Sequence, residues 1–135
     1  MNDRYLYRAK RKSDKRWIYG NLIHTDDGVY IIQNYVPQHL IGNYEVDPST
    51  ICQCTGKEDV NCNLIFEHDV VSFLDATSTE NGYSERWQVG EVLWDDETVS
   101  FQVTERLSAE SYEVLGECQV LGNTIDNPEL LEVRE

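Results

Sequence analysis

RWQVGEVLW, residues 86–94, and TVSFQV, residues 98–103, are two runs of strand-forming residues separated by the acidic turn of residues 95–97. Val99, Phe101 and Val103 alternate along the second run, which places them on one face of a strand. The two runs therefore predict a β-hairpin. Trp87 and Trp94 have opposite parity in the first run, so both cannot face the same interior. We expect at least one of these rings to be exposed, unless a partner or the other half of the chain covers it.

Short strands are expected on both sides of this hairpin. The apolar run of residues 69–74 predicts a strand, and residues 75–85, around Asn81-Gly82, predict a long polar loop. After the hairpin, the sequence predicts a helical turn at 108–112, strands at 112–116 and 118–121, and a helix starting at Asn127-Pro128. Short, strongly bent strands suit small barrels, because closure removes exposed edges. We therefore predict an SH3-like small barrel over residues 64–135.

The N-terminal part predicts a separate set of strands. Residues 5–11, 17–24 and 29–33 have the pattern of strands, and Asp26-Asp27-Gly28 predicts a hairpin turn. Residues 34–43 predict a loop, residues 44–46 a short strand, and residues 55–63 a stretch of turns rich in Gly, Asp and Asn. The chain is thus expected to be mainly β, with an N-terminal β-hairpin region over residues 1–63 and a barrel half over residues 64–135.

The charge distribution is strongly asymmetric. Residues 1–20 hold seven of the 11 basic residues and two acidic residues, which gives +5, whereas the rest of the chain holds four basic and 23 acidic residues, which gives −19. An acidic body repels polyphosphates, so nucleic acid is an unlikely partner. The basic segment is expected to rest on acidic surface of its own chain or of another copy, to bind phosphate, or to be solvated. Its candidate contact residues are Arg8, Lys10, Arg11, Lys12, Lys15 and Arg16.

The sequence contains no obvious membrane or export signal. No apolar run approaches the roughly 20 residues that a membrane-spanning helix needs. The N-terminus, Met1-Asn2-Asp3-Arg4, is charged and has no apolar segment behind it, unlike a secretory signal peptide. We expect no membrane partner and a cytoplasmic location, where thiols stay reduced.

The cysteines and histidines do not form a recognisable catalytic or metal-binding motif. Cys52, Cys54, Cys62 and Cys118 lack the spacing of a zinc knuckle, so we expect reduced thiols, no metal, no disulfide and no cofactor. Glu67-His68-Asp69 could place a histidine near a thiol, although a turn before a strand explains the same residues. The sequence has no phosphate-binding glycine loop, no GxSxG and no HExxH motif. We therefore expect that the protein is not an enzyme.

Three segments together resemble the YopX family of phage and prophage proteins. They are Tyr7-Arg8-Ala9-Lys10 with Trp17-Ile18-Tyr19-Gly20; the stretch from Val46-Asp47-Pro48-Ser49-Thr50 to Asp69-Val70-Val71; and Val120-Leu121-Gly122-Asn123 with Asp126-Asn127-Pro128-Glu129-Leu130-Leu131. The resemblance implies a β-rich fold with an SH3-like C-terminal half, and it implies no catalytic residues.

The chain departs from the family pattern at four positions. The pattern has glycine where this chain has Cys52, Cys62 and His68, and an aromatic residue where it has Cys54. Because residues with a Cβ avoid the left-handed region, these substitutions suggest that the backbone does not need a positive φ at the former glycine positions.

The function expected from these features is that of a phage or prophage accessory protein that binds another protein. The acidic C-terminal half would be the contact surface, with Trp87 or Trp94 as contact points, and the partner would be a host protein, a phage protein or a second copy. One alternative is a self-associating structural protein, a homo-oligomer in which residues 4–16 of one copy lie on the acidic body of another. Another is a nucleic-acid-related role, through the basic segment or through an acidic surface that mimics DNA.

Overall fold

The computed structural model describes residues 5–33, 36–105, 111–113 and 117–132, with the backbone alone at residues 75–79, 105 and 111–113. The chain folds as two compact units, residues 1–56 and 57–135. The boundary expected after residue 63 lies within the second unit. In the part of the chain that is described, no helix is both long enough and apolar enough to cross a membrane.

The first unit is built on antiparallel strands. They are β1 (Tyr7–Lys10), β2 (Trp17–Thr25), β3 (Gly28–Ile32) and β4 (Cys52–Glu58), in the order β3-β2-β1-β4, with β5 (Leu64–Phe66) following β4 in the sheet. The β2–β3 hairpin closes with Thr25 opposite Gly28, which confirms the turn expected at Asp26-Asp27-Gly28. Two 3-10 helices, Gln38–Tyr44 and Pro48–Thr50, lie between β3 and β4.

The two faces of this sheet have different residues. Ala9, Val29, Ile31 and Val46 form its buried core, with Ile18 and Leu22 among the side chains packed against them. Arg8 and Lys10 alternate with Ala9 on β1, and they pair with Tyr19 and Trp17 on β2. Since side chains alternate along a strand, these four residues share the opposite face of the sheet. Basic and aromatic side chains are thereby brought together.

The second unit contains the other five-stranded antiparallel sheet. Its strands are β6 (Asp69–Thr79), β7 (Gly82–Asp95), β8 (Ser100–Glu105), β9 (Ser111–Glu113) and β10 (Gln119–Asn123), in the order β10-β6-β7-β8-β9. Its core contains Ile65, Val71, Val92, Val103 and Cys118, and the partly buried Phe73, Phe101 and Val120 pack against it. The strand expected from the alternation of Val99, Phe101 and Val103 starts later: Val103 is buried and Phe101 packs on the core, but Val99 lies in the turn before β8, with a φ of 52°, and is 70% exposed.

The mainly β class is confirmed, but the barrel is not. The sheet order runs from β10 at one edge to β9 at the other, and among the described residues no pairing joins these two strands. The sheet is therefore open where it is described, and the SH3-like character expected for residues 64–135 is not confirmed.

Several predicted loops are strands or helices. Residues 75–85 were expected to be a loop, but β6 and β7 pair through them up to Thr79 opposite Gly82, so only Glu80 and Asn81 form the turn. The turn expected at residues 55–63 is shorter, because β4 extends to Glu58. The strand expected at residues 44–46 is absent, since Tyr44 ends a 3-10 helix and Glu45 and Val46 make isolated bridges.

Two predictions fall partly outside the described residues. The helical turn at 108–112 and the strand at 112–116 include residues 108–110 and 114–116, which the structure does not describe, while β9 covers Ser111–Glu113. The helix start at Asn127 is a 3-10 helix, Pro128–Leu131.

The β6–β7 hairpin extends beyond its neighbouring strands. β10 pairs with β6 only over residues 69–72, and β8 pairs with β7 only over residues 90–95. Residues 73–79 and 82–88 therefore form a two-stranded antiparallel ribbon, with no strand on either edge in the described part of the chain. This segment is called the ribbon arm below.

Candidate functional site

The basic segment forms the tight turn between β1 and β2. The Arg11 N–H donates to the Arg16 carbonyl at 2.9 Å, and the Lys15 N–H donates to the Arg11 carbonyl at 2.8 Å. The Asp14 carboxylate accepts a hydrogen bond from Arg11 Nε at 3.1 Å and another from Arg11 Nη2. These bonds from Arg11, together with the Arg16 N–H, lower the pKa of Asp14 to about 2. The Arg11–Asp14 pair therefore holds the turn closed over a wide pH range.

The six predicted basic contact residues have different environments. Arg8 is buried, and its guanidinium carbon lies 4.8 Å from the centroid of the Trp17 ring. Lys10 Nζ lies 5.5 Å from the same centroid, so Trp17 makes cation–π contacts with two β1 side chains. Lys12 Nζ pairs with Glu45 at 3.1 Å, whereas the side chains of Lys15 and Arg16 are exposed at the turn. Arg8 thus supports the packing of Trp17, and the other five cations surround the turn.

Four of these cations line one pocket of about 460 Å³. Its lining residues are Lys10, Arg11, Lys12, Lys15, Asp47 and Pro48, and it is called the basic pocket below. The Asp47 carboxylate accepts hydrogen bonds from Ser49 Oγ at 2.8 Å and from the Ser49 N–H at 3.0 Å. These bonds lower the pKa of Asp47, and the positive charges of Lys12 and Lys15 lower it further. Asp47 is therefore ionised, and the cations in the lining outnumber it.

A second pocket of the first unit, of about 370 Å³, is lined largely by aromatic and aliphatic side chains. It is called the aromatic pocket, and its lining residues are Trp17, Ile18, Tyr19, Ile31, Gln33, Val36 and Tyr44. β3 pairs with β2 only from Asn21 onward, so residues 17–20 of β2 have no β3 partner. The pocket includes this part of β2. Sequence reasoning missed Tyr19 and Tyr44, because they are 25 positions apart and only the fold of the intervening β2–β3 hairpin and 3-10 helix brings them together.

The two predicted tryptophan contacts have different surroundings. Trp94 packs edge to face on Phe101 with 5.1 Å between ring centroids, and its Nε1 donates to Asp96 Oδ1 at 2.8 Å. Trp87 is 68% exposed and lies opposite Leu74 on β6, which is 41% exposed. Tyr83, four positions from Trp87 on the same strand face, is 63% exposed. Leu74, Tyr83 and Trp87 therefore lie on one exposed face of the ribbon arm, with Glu85 between Tyr83 and Trp87 and hydrogen-bonded to the Tyr83 hydroxyl.

Leu74 and Tyr83 were also missed by sequence reasoning. Both belong to this surface only because β6 and β7 stay paired through residues that were expected to be a loop. The useful signal was Asn81-Gly82, a dipeptide typical of hairpin turns, which lies between Leu74 and Trp87 in the sequence.

His68, Glu91 and Thr124 form a hydrogen-bonded group in the second unit. Glu91 Oε2 lies 3.0 Å from His68 Nδ1 and accepts a 3.0 Å hydrogen bond from Thr124 Oγ1. The His68 N–H donates to the Val92 carbonyl, and the Thr124 N–H donates to the His68 carbonyl. The Glu91 carboxylate lies between the Thr124 hydroxyl and the His68 imidazole. In a catalytic triad the imidazole lies between the nucleophile and the carboxylate, so this group does not have the arrangement of a triad. The group ties together β7 and the segments beside β6 and β10.

The four cysteines are free thiols. Cys52, Cys54 and Cys118 are buried, and Cys62 is exposed. Burial raises the pKa of Cys118 to about 11, and the negative charge of Asp59 acts in the same direction. This thiol is therefore neutral at physiological pH and a poor nucleophile. Among the residues described, no three His, Cys, Asp or Glu side chains are grouped so that they could hold a metal ion.

The fold resembles one crystal structure in particular. The chain superposes on the protein EF1440 from Enterococcus faecalis with a TM-score of 0.54 and 22% sequence identity, over 93% of this chain and 96% of that one. At this identity the similarity concerns the fold alone. A search of curated protein sequences gave no match.

The family is established by the sequence match. The model of the family described as YopX protein matches residues 6–132, which is nearly the whole chain. This match confirms the resemblance carried by the three segments around Tyr7, Asp47 and Asn127. The chain belongs to the YopX protein family.

Proposed function

We propose that the chain is a non-enzymatic accessory protein of a phage or prophage, that it works in the cytoplasm of the host cell, and that it binds another protein through the ribbon arm. The observation that carries this proposal is the exposed surface formed by Leu74, Tyr83 and Trp87. Tryptophan and tyrosine are the residues most often found to dominate the binding energy of protein interfaces.

The geometry of the ribbon arm suits a docking role. Cross-strand pairing of Leu74 with Trp87 places the two side chains side by side on the same face, where one partner surface can cover both. A two-stranded ribbon is only marginally stable by itself, and a partner can add a strand to such a ribbon. Contact with a partner would therefore cover apolar surface and also stabilise the ribbon.

The negative net charge of the chain indicates which kinds of partner it can bind. The chain carries a net charge of −14, and the exposed Glu80 and Glu85 lie on the same hairpin as the exposed surface. A nucleic-acid phosphate backbone would be repelled by this charge. A protein with an apolar groove and a basic rim is complementary to it, since charge complementarity accelerates encounter and excludes wrong partners.

The described chemistry supports a binding role over catalysis. Glu91 separates the Thr124 hydroxyl from the His68 imidazole, so the hydroxyl is not activated as in a triad. Burial raises the pKa of the Cys118 thiol, and the negative charge of Asp59 raises it further. These groups are explained as structural contacts.

The proposal can be tested by retention of host and phage proteins on immobilised full-length chain. The variants are Trp87→Ser and Tyr83→Ser, with Leu121→Ser as a control at a similarly exposed position on β10. We expect one protein to be retained by the parent and the control but lost with both ribbon variants. Equal retention by all four proteins, or no retained protein, would contradict the proposal. Sedimentation showing a dimer that requires Trp87 would replace it with the self-associating alternative.

A further inference from the structure

A cross-strand pair of residues contributes one member to the basic pocket and the other to the aromatic pocket. Lys10 lines the first pocket and Trp17 lines the second, and the two residues face each other in the β1–β2 register. Lys10 Nζ lies 5.5 Å from the centroid of the Trp17 ring. We propose that the two pockets together bind a mononucleotide, with its phosphate in the basic pocket and its base in the aromatic pocket.

The basic pocket has the chemistry for a phosphate group. Lysine ammonium groups bind phosphate as point charges, and Lys10, Lys12 and Lys15 all line this pocket. The hydrogen bonds from Ser49 lower the pKa of Asp47, which also lines this pocket, and the positive charges of Lys12 and Lys15 lower it further. Asp47 opposes an anion, but Ser49 already donates two hydrogen bonds to its carboxylate.

The turn that presents the lysines has a defined shape. Lys15 has a φ of 60°, an uncommon backbone conformation for a residue with a Cβ, and its N–H bond to Arg11 holds it there. Arg11 is fixed in turn by Asp14. The lysines are therefore carried by an ordered turn, so that less conformational freedom is lost when an anion binds.

The aromatic pocket has the chemistry for a planar base. The rings of Trp17, Tyr19 and Tyr44 line it, and bases stack on aromatic side chains irrespective of sequence. Its volume of about 370 Å³ is of the size found for small-molecule sites. A base held here would place its phosphate on the Lys10 side of Trp17.

The overall charge selects a mononucleotide over a nucleic-acid strand. Residues 1–20 carry +5 and the remaining residues carry −19, so only the basic turn attracts phosphate. A long strand carries many phosphates, and the net negative charge of the rest of the chain repels them at long range. A single nucleotide confines its charge to the pocket.

The first test is calorimetric titration of the full-length chain with three probes, which are AMP, adenosine and inorganic phosphate. If both pockets are used, AMP binds at least about tenfold more tightly than either of the other two, because each half of the ligand contributes. The proposal is overturned if phosphate alone, or adenosine alone, binds as tightly as AMP, or if AMP does not bind at millimolar concentration.

The second test uses charge-matched variants. Lys12→Gln combined with Lys15→Gln is compared with Lys57→Gln combined with Arg86→Gln, two exposed cations of the second unit, so that both proteins have the same net charge. The first variant should bind AMP about tenfold more weakly, as expected for loss of charge-assisted contacts, and the second should bind like the parent. Equal weakening of both would mean that only net charge matters, which contradicts a site.

A third comparison tests the aromatic half. Tyr19→Ala should weaken AMP binding but leave phosphate binding unchanged, whereas Tyr83→Ala on the ribbon arm should change neither. Lys15→Gln alone, at an exposed position, provides a variant that keeps the Lys12–Glu45 ion pair. Unchanged AMP affinity in both Tyr19→Ala and Lys15→Gln would overturn the proposal.

Discussion

The carboxylate of Asp59 accepts a 2.9 Å hydrogen bond from the backbone N–H of Val120, 61 positions further along the chain. The same buried carboxylate accepts bonds from the N–H groups of Asn61 and Asn63, both at 2.9 Å. Nearby, the Val60 N–H donates to the Cys118 carbonyl at 3.0 Å. One side chain thus both closes the turn after β4 and attaches it to β10.

Removal of this carboxylate should strongly destabilise the second unit. Asp59→Ala leaves three backbone N–H groups without their acceptor, and each such loss costs about 1–3 kcal/mol, so a total of about 3 kcal/mol or more is expected. Urea unfolding measures the change in the free energy of unfolding. Glu97→Ala, at an exposed turn of the same unit, should stay within about 0.5 kcal/mol of the parent. A loss for Asp59→Ala no larger than that of this control would show that the bonds do not matter.

Asp59 should also make stability depend on pH in the acidic range. Its burial acts to raise its pKa, but the hydrogen bonds from Val120, Asn63 and Asn61 outweigh burial, and the pKa is lowered. A carboxyl with a lowered pKa in the folded state stabilises the protein above its unfolded pKa of about 3.9, and this contribution is lost as pH falls below that value. Urea midpoints between pH 6 and pH 2.5 should fall less steeply for Asp59→Asn than for the parent. Equal slopes would exclude Asp59 as the cause.

Two positions where the family pattern has glycine need the backbone conformation that glycine favours. Cys62 and His68 have φ values of 64° and 72°, so the inference that these positions do not need a positive φ was wrong. The turn at residues 59–63 and the contacts of the His68 backbone hold the chain in this conformation despite the Cβ. Cys52, in contrast, lies in β4, where an extended backbone requires no glycine.

Cys62→Gly should therefore stabilise the protein. Relief of the left-handed strain contributes about 1 kcal/mol, reduced by the greater entropy that glycine has in the unfolded chain. Thermal unfolding should place Cys62→Ala close to the parent, because alanine keeps the Cβ, and should place Cys52→Gly below it, because a buried strand loses packing. If Cys62→Gly is less stable than Cys62→Ala, the left-handed conformation is not the relevant feature.

Gly90 should not tolerate a larger residue. A Cβ at this position would lie 2.5 Å from the Thr104 carbonyl oxygen and 2.7 Å from Val103 Cγ1, a core side chain. Gly90→Ala is therefore expected to destabilise the protein by about 1–3 kcal/mol through overpacking. Gly42→Ala, where no heavy atom lies within 4 Å, is the matched control and should be neutral or slightly stabilising. Equal unfolding midpoints for the two variants would contradict the close approach of β7 and β8.

The sequence predicted the strands whose apolar residues alternate, but not those that lack this pattern. Phe101 and Val103 identified β8, because one of its faces packs on the core, whereas Val99 lies outside this strand. In the distal part of the β6–β7 hairpin, residues 82–87 of β7 are exposed, so burial imposes no alternation on them, and their pairing follows from the register set by the Glu80-Asn81 turn. β4 was missed in part because Gly56 and Lys57 are typical of turns.

The sequence identified the candidate contact residues, but it did not show which of them lie together on a surface. A basic segment is visible in the sequence, but the burial of Arg8 against Trp17 and the pairing of Arg11 with Asp14 depend on the fold. The sequence positions of Trp87 and Trp94 showed that they lie on opposite faces of one strand. The contact of Trp94 with Phe101, however, could be assigned only after β7 and β8 were paired.

The account depends most on Trp87 as the centre of a protein-binding surface. Its most direct test is the affinity of the retained partner, once purified, for the parent chain and for Trp87→Ala, measured by titration calorimetry. A central exposed tryptophan of an interface contributes about 2 kcal/mol or more, so the dissociation constant should rise by about 30-fold. An unchanged dissociation constant for Trp87→Ala would contradict the assignment of the ribbon arm as the binding surface.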